Sequence, residues 1–505
     1  MTTTQALAGE PQGGVPEKGL EHGALGFFAV LAIGLDSTAP AYSLAAVIGI
    51  VVAVVGLQAP AVFLVAFVPI FLTSLAYSAL NRVEPHCGTT FCWVTRAMGP
   101  FPGWVAGWAV TMPGILIIGS LAEVAASYTY ILVGWDTAAD SRVAVAVLTV
   151  GYIALGVFIS VIGTEIAGRV QLVMVVLQIG GLLLLSVVAI ARVLAGDGPD
   201  TAVTPSLSWL NPFAVDLSGL VTGILAAIFI YWGWESAVNV NEESDDTTSS
   251  GRAAVLSTAI LVATYVLVAF GVQAWLGGSV GEDYNDDIAV LADVATPVLG
   301  QPLDKIVVLA VLTSALAATQ TTILPASRTT LSMAARKAFP AFFASVHPRF
   351  HTPWIGTIVI GVLATVWYLP LKFLSENFLF DTITALGLMI AFYYAMTGYA
   401  AVIFFRNRIR RSARDALTLG LLPLTGSLIL TAVFVKAVVD FANPEESYSG
   451  SLFGVGPPLV IGMGFLLLGV VGAGLWWLAG HRAFFAIKRQ TAETITPDPV
   501  VDPTG

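Results

Sequence analysis

The sequence predicts an all-α polytopic membrane protein with about twelve transmembrane helices. Of its 505 residues, 57% are hydrophobic and only 11% are charged, whereas a soluble domain carries about 25% charged residues. A membrane span needs roughly 20 apolar residues. We number as spans 1 to 12 the stretches that meet this requirement, which are 25–54, 59–80, 101–133, 143–161, 166–191, 217–240, 253–276, 302–331, 354–370, 378–405, 416–439 and 455–479.

The distribution of basic residues predicts how the chain is oriented in the membrane. If the chain starts in the cytoplasm and the spans alternate, the inside segments hold 17 of the 22 lysines and arginines, and the outside segments hold the other 5. Because basic residues are enriched in cytoplasmic loops, we expect a multi-pass protein of the cytoplasmic membrane with both termini in the cytoplasm. The net charge of −10 does not indicate a nucleic-acid partner. The expected partner is the lipid bilayer, and the oligomeric state stays open.

Span 6 is interrupted near its middle. The segment 231–236 (YWGWES) follows a long apolar run and precedes the acidic segment 241–246 (NEESDD). Glu235 therefore lies in or near the hydrocarbon, where an ionisable side chain is costly and indicates a functional site. Gly233 beside it is a position where a membrane helix can unwind, provided that protein or a water-filled cavity surrounds the unwound backbone.

Span 1 is interrupted in a similar way. The segment 32–42 contains Gly34, Asp36, two hydroxyl side chains and Pro40. Pro40 has no backbone N–H and disfavours helix at Ala39. Interrupted spans at corresponding positions of two halves indicate the binding site of a transporter. The alternative is that glycine and proline only kink these helices, as they do in many membrane proteins.

Several polar segments lie at the predicted membrane boundaries. The segment 81–101 is typical of an amphipathic interfacial or re-entrant helix, and Glu123 in span 3 is expected to reach the interface. Basic residues at the end of span 8, Arg328 among them, are expected to pair with the acidic segment after span 6, either as an inner gate or as an anchored loop. Cys87 and Cys92 are too few ligands for a metal site, so we predict neither a metal nor a cofactor.

Four stretches resemble the amino acid–polyamine–organocation (APC) superfamily of secondary transporters. They are the interrupted first span, the stretch from EPHCGT (84–89) to GW (107–108), the GWE break (233–235) with its acidic tail, and the stretch 327–353. The last of these resembles a span ending in S-R that is followed by M-A-R-D-G-x-x-P and V-H-P-R-x-x-T-P. The similarity runs over about residues 25–410.

The resemblance implies two inverted repeats of five helices, spans 1–5 and 6–10, around a site in the middle of the membrane, and transport by alternating access. It divides the chain into a disordered cytoplasmic N-terminus (1–24), the inverted-repeat core (25–410), helices 11 and 12 (411–481) and a cytoplasmic tail (482–505).

The resemblance also implies the residues of the site. In the superfamily the amino and carboxyl groups of the substrate meet the backbone at the two breaks. Free amides at the start of a half-helix favour a carboxylate, whereas free carbonyls and an acidic side chain favour an ammonium, and an aromatic face can hold a cation. The positions implied here are Ser37, Thr38, Ala39, Phe229, Gly233, Trp234 and Glu235, and we add Asp36 as the buried carboxylate of the first break.

Two positions depart from the superfamily pattern. Pro40 stands in a break that is glycine-rich in many members, and it removes one amide that a carboxylate would use. Gln178 stands where some proton-coupled members have a lysine, and an amide side chain cannot titrate. The remaining candidates for a proton-coupling site are Asp36 and Glu235.

We therefore expect a permease that moves an amino acid, coupled to protons or to exchange of a second substrate. The alternatives are a polyamine or ethanolamine-type carrier and a nutrient sensor that keeps the transporter fold. An intramembrane enzyme would need a base at membrane depth, and no predicted span contains a histidine. The substrate, the coupling ion and the direction stay open. Candidates for the pocket-lining residues of spans 3, 8 and 10 are Ile117, Thr313, Ser314 and Tyr393.

Overall fold

The structure is a computed structural model that describes residues 18–284, 288–374, 378–447 and 449–494. The predicted disordered N-terminus therefore falls largely on residues outside the described ranges, and so does the end of the predicted tail, from 495 to 505. The division of the chain into four regions stays a prediction.

The described residues form α-helices joined by short turns, 3₁₀ turns and one π-helical turn at Ala416–Leu421. The first part of the chain contains α1 (Phe27–Ser37), α2 (Pro40–Val55), α3 (Ala59–Val83), α4 (Thr89–Met98), α5 (Pro100–Val133), α6 (Asp136–Ala139), α7 (Arg142–Ile162), α8 (Thr164–Leu194), α9 (Leu217–Ile230), α10 (Ser236–Asn239) and α11 (Thr247–Leu276). The second part contains α12 (Ser279–Asp283), α13 (Val290–Leu299), α14 (Asp304–Thr321), α15 (Ile323–Ala335), α16 (Trp354–Leu374), α17 (Phe378–Phe404), α18 (Arg406–Ile409), α19 (Ala413–Asp415), α20 (Leu422–Asp440), α21 (Pro457–Leu478) and α22 (Arg482–Phe485).

Ten helical stretches of the described chain are long and apolar enough to cross a membrane. One of them, Phe27–Val83, contains both stretches predicted as spans 1 and 2, and the predicted sixth span forms the shorter apolar helix α9 followed by α10. The prediction of an all-helical polytopic membrane protein is confirmed for the described residues. The count of about twelve spans and the orientation stay predictions.

The first break lies between α1 and α2. Helix α1 closes with i→i−3 hydrogen bonds, in which the N–H groups of Thr38 and Ala39 donate to carbonyls of the last turn. Ala39 has φ 48° and ψ 60°, a left-handed conformation that is uncommon for a residue with a Cβ. The chain re-enters a helix at Pro40, whose fixed φ suits the first helical position. The proline therefore ends one helix and starts the next.

The second break lies between α9 and α10. The N–H groups of Tyr231 and Trp232 donate to carbonyls three residues earlier, which tightens and closes α9. Gly233 has φ +117°, a conformation that residues with a Cβ rarely adopt. Helical structure resumes only at Ser236. The glycine thus provides the change of direction that separates the two helices.

The two breaks touch each other. The hydroxyl groups of Ser37 and Ser236 are hydrogen-bonded at 2.7 Å, with both side chains buried. A Cβ built on Gly233 would lie 2.6 Å from the carbonyl carbon of Ser37, so the backbones of the two breaks pass each other where only a glycine fits. The prediction that both helices come apart and face each other is confirmed.

Helices of the two predicted repeats pack against their counterparts. Helix α3 packs on α11, α5 on α14 and α15, α7 on α16, and α2 on α9. Helices α7, α8, α16 and α21 carry exposed apolar side chains such as Val147, Val173, Val366 and Leu468, which is typical of a surface that contacts lipid. The broken helices therefore lie inside the bundle. The inverted relation of the two repeats stays a prediction.

Replacing Gly233 with alanine is expected to destabilise the protein. The added methyl group meets the Ser37 carbonyl and forces a residue with a Cβ into φ +117°, which costs about 1–3 kcal/mol. The apparent midpoint of thermal unfolding in detergent should fall. The matched control is Gly151→Ala in α7, where a Cβ meets nothing within 4 Å. Equal midpoints for the two variants would contradict the close approach of the breaks.

Candidate functional site

Glu235 accepts hydrogen bonds from three donors at the second break. The hydroxyl of Tyr393 donates to Oε1, the hydroxyl of Tyr394 donates to Oε2 at 2.5 Å, and the N–H of Gly233 donates to Oε2 at 3.1 Å. Only 3% of Glu235 is exposed. Hydrogen bonds of this kind are stronger when the acceptor is ionised. The two tyrosines of α17 and the unwound backbone therefore hold the carboxyl group in one position.

Aromatic rings surround this carboxyl group. The indole N–H of Trp232 donates to the Tyr393 hydroxyl at 2.6 Å. The ring of Trp234 lies 5.0 Å from Tyr77 and 5.5 Å from Tyr394, measured between centroids. These distances are typical of aromatic pairs that stabilise a packed core. The side of the site nearest Glu235 is thus lined by aromatic side chains that pack against one another.

Phe229 lies one helical turn before the break and contacts the other broken helix. Its ring meets Tyr42 of α2 edge to face, with 6.5 Å between centroids, and lies 6.4 Å from Trp232. The Tyr42 hydroxyl is buried and has no hydrogen-bond partner among the described residues. A buried hydroxyl without a partner is costly, so this group is available to a polar ligand.

Asp36 is the second carboxyl group at the breaks. Its Oδ1 accepts a 2.6 Å hydrogen bond from the side-chain amide of Gln178 on α8. Its Oδ2 is buried and has no partner among the described residues. The structure thus brings together the acidic residue of span 1 and the glutamine noted in span 5. Asp36 keeps one oxygen available for a proton or a ligand.

The backbone groups expected to be free at the breaks are partly bound by side chains. The N–H groups of Ala41 and Tyr42 both donate to Oγ of Ser314, at 3.2 and 3.3 Å. The carbonyl of Ile230 accepts from the Tyr265 hydroxyl at 2.6 Å. A substrate carboxylate at the start of α2 would therefore have to displace Ser314.

All of the predicted site residues are buried, and they form one continuous region around the two breaks. The group comprises Asp36, Ser37, Thr38, Ala39, Phe229, Gly233, Trp234 and Glu235. Of the pocket-lining candidates, Ser314 and Tyr393 contact the breaks directly. Ile117 is buried in the core, and the Thr313 hydroxyl bonds to a carbonyl of its own helix. Sequence reasoning missed Tyr394, although two adjacent tyrosines in an apolar span were a signal.

A layer of ion pairs lies on the side of the molecule that carries Lys18 and the described end of the chain, which we call the terminal face. Arg328 donates to both oxygens of Glu243, at 2.6 and 2.9 Å, and both side chains are 1% exposed. The predicted pairing of span 8 with the acidic segment after span 6 is therefore found. Arg96 pairs with Glu84 at 2.7 Å in the same layer.

His86 belongs to this layer and lies between α3 and α4. Its Nδ1 accepts a hydrogen bond from the Gly88 N–H at 3.1 Å. Burial, and then the charges of Lys18, Arg336 and Arg96, hold the pKa of His86 well below its usual value. This imidazole is neutral at neutral pH, which leaves a lone pair on Nδ1.

Comparisons with known proteins place the chain among permeases. A family model described as amino acid permease matches residues 25–466. The low-affinity putrescine importer PlaP of Escherichia coli K12 is 21% identical over 404 residues, which cover 79% of this chain and 84% of the importer. The methylthioribose transporter of Bacillus subtilis 168 is 23% identical over 318 residues, or 60% of this chain and 65% of that transporter. The branched-chain amino acid permease BcaP of Lactococcus lactis is 24% identical over 210 residues, or 39% of this chain and 44% of that permease.

The fold and the site define a multi-pass membrane protein in which polar groups meet at two interrupted helices. Because the family model spans most of the chain, the chain belongs to the amino acid permease family, within the APC superfamily. The resemblance drawn from the four sequence stretches is thereby confirmed. The family is one of transporters.

Replacing Arg328 with methionine is expected to destabilise the protein strongly. The change leaves Glu243 buried without its cation, which costs about 3–5 kcal/mol, whereas removing both charges is close to neutral. The thermal midpoint in detergent should fall for Arg328→Met and recover for Arg328→Met/Glu243→Leu. The exposed Arg410→Met serves as the control. Additive losses in the double variant would show that the pair does not act as a unit.

Proposed function

We propose that the protein is a secondary active transporter that moves a small substrate with an amino group across the cytoplasmic membrane. The observation that carries this proposal is the buried carboxyl group of Glu235, held at a helix break by two tyrosine hydroxyls and an amide. An ammonium group offers three donors. It can replace the present donors to Glu235 without leaving the carboxylate unpaired.

The first candidate substrate is an amino acid. The description of the family supports it, and so does the start of α2. The N–H groups of Ala41 and Tyr42 point at one acceptor, the Ser314 hydroxyl. A substrate carboxylate is a stronger acceptor than a hydroxyl and gains from the positive end of a helix dipole. In this pose the ammonium binds near Glu235 and the carboxylate binds at the start of α2.

The second candidate substrate is a diamine or another amine without a carboxylate. The lack of a backbone N–H at Pro40 favours it, because a carboxylate has one donor fewer at this break. A diamine has two cationic ends, and the breaks offer two buried carboxyl groups, Glu235 and Asp36. A relative described as a putrescine importer supports the same choice.

The mechanism we propose is alternating access through two opposed closures. On the terminal face, the buried pair Arg328–Glu243 closes the path between span 6 and span 8. Elsewhere in the bundle, Lys372 pairs with Glu123, and both side chains are about 20% exposed. We assign the terminal face to the cytoplasm and the Glu123 pair to the outside. A partly solvated pair separates at lower cost than a buried one, so the outer closure opens first.

Coupling is proposed to run through protons at Asp36. One of its oxygens is bound by Gln178 and the other has no partner among the described residues. Protonation removes a charge that the surrounding apolar core stabilises poorly. Exchange of a second substrate at the same site is the alternative mode of coupling.

Uptake into proteoliposomes is the direct test of the proposed function. Labelled leucine, arginine, putrescine and GABA should be assayed with an imposed pH gradient.

Glu235→Gln should lower kcat/KM for the transported amine about 10- to 100-fold, because a hydrogen bond to a charged group contributes about 1.5–3 kcal/mol. The control is Glu445→Gln, an exposed carboxyl group in a loop. Wild-type uptake by Glu235→Gln at every pH would remove Glu235 from the mechanism. Binding without accumulation by the wild type would favour a sensor over a transporter.

Asp36→Asn is expected to separate coupling from translocation. The asparagine keeps a hydrogen bond to Gln178 but cannot take up a proton. Uptake driven by the pH gradient should therefore be lost, while counterflow exchange of labelled for unlabelled substrate continues. Loss of both activities in a correctly folded variant would assign Asp36 to substrate binding. Undiminished gradient-driven uptake would exclude Asp36 as the coupling site.

A further inference from the structure

Four potential metal-binding side chains converge under the N-terminal segment, in a place that the proposed transport mechanism does not use. Ligand atoms of His86, Cys87 and Glu242 all lie within 4.8 Å of one another. The thiol of Cys92 lies 2.9 Å from Nδ1 of His86 and brings a fourth group. His86, Cys87 and Cys92 are at most 3% exposed. We call these four residues the thiol cluster.

A cation already binds in the thiol cluster, namely the ammonium group of Lys18. Its Nζ lies 2.6 Å from Oε1 of Glu242, 3.3 Å from Nδ1 of His86 and 3.5 Å from Sγ of Cys87. Its three N–H donors thus face three different ligand atoms. The side chain is only 4% exposed, although Lys18 is the first described residue of the chain. The cluster is therefore built to surround a positive charge.

The chemistry of the four groups selects the kind of metal ion. Thiols, an imidazole and a carboxylate are the ligand types that Zn²⁺ takes in proteins. Thiolate donors favour zinc and other soft ions over magnesium or calcium, which prefer oxygen. The donors come from segments far apart in the chain, so the site exists only in the folded protein.

We propose that His86, Cys87, Cys92 and Glu242 form a binding site for Zn²⁺ or a similar thiophilic divalent cation, which competes with the Lys18 ammonium for the same position. When the metal binds, both thiols lose their protons to solvent and coordinate as thiolates. The Nδ1 lone pair leaves its hydrogen bond with Gly88 and binds the ion. The Lys18 ammonium leaves the cluster with its charge unchanged.

Binding of the metal has a consequence for the terminal face. Lys18 fastens the N-terminal segment, and seven residues later Leu25 is hydrogen-bonded through its backbone to Glu243 and Asp245. Glu242, which belongs to the thiol cluster, is adjacent in the chain to Glu243, which forms the buried ion pair with Arg328. Release of Lys18 removes the side-chain contacts at the start of this segment, while the backbone hydrogen bonds of Leu25 remain.

Cobalt binding to the purified full-length protein in detergent tests this site directly. Co²⁺ bound by thiolates gives a charge-transfer absorption in the near ultraviolet, and Zn²⁺ should abolish it by displacing the cobalt. The chain contains only two cysteines, so Cys87→Ser/Cys92→Ser should lose the absorption entirely. Lys18→Met removes the competing ammonium and should raise the affinity for Co²⁺ about tenfold or more.

His481→Gln is the matched control, because this histidine is exposed and stacks on Trp476 away from the cluster. It should bind Co²⁺ like the wild type. Elution volume and thermal midpoint establish that each variant is folded, and Lys18→Met leaves the helical core intact. Absence of the absorption in both the wild type and Lys18→Met would overturn the proposal. Equal affinities in these two proteins would overturn the competition between metal and lysine.

Discussion

The structure depends on one constraint, which is that backbone polar groups inside a membrane protein must find partners away from water. Two helices stop in the interior, and each stop creates free N–H and C=O groups. The molecule satisfies many of them with hydroxyl groups from other helices: Ser314 accepts from the start of α2, and Tyr265 donates to the end of α9. Because these partners come from α14 and α11, their hydrogen bonds connect the two breaks to the surrounding helices.

The same constraint explains why many of the polar side chains at the two breaks carry hydroxyl groups. A hydroxyl can both donate and accept, so it can pair with a backbone group in one state and release it to a ligand in another. Ser37 and Ser236 join the two breaks through such a pair. Glu235 is held by two tyrosine hydroxyls instead of a basic side chain. Among the described residues, hydroxyl and backbone N–H groups thus donate the hydrogen bonds to the Glu235 carboxyl group.

Local sequence was sufficient to predict the breaks. Pro40 and Gly233 have backbone requirements that act within a few residues, and runs of about 20 apolar residues predicted most helix bounds to within a few positions. Long-range contacts were harder to predict. The basic residues at the end of span 8 were expected to pair with the acidic segment after span 6, and Arg328 does so with Glu243. Which acidic residue takes the arginine had no local signal.

The remaining contacts had no local signal. Lys18, His86 and Glu242 are separated by 68 and 156 positions, and nothing in their sequence neighbourhoods specifies that they meet. Two cysteines alone are too few ligands to indicate a metal site, and His86 and Glu242 come close to Cys87 only in the folded chain. Ser314 was one of several possible pocket residues, and its contact with two amides of α2 depends on how α14 packs.

The left-handed alanine at the first break limits how the molecule can move. Ala39 and Pro40 together leave the chain few accessible backbone conformations, unlike a glycine pair, which would act as a loose joint. A junction with few accessible backbone conformations resists bending between the two helices that it joins. The angle between α1 and α2 is therefore restricted by the backbone of two residues at their junction.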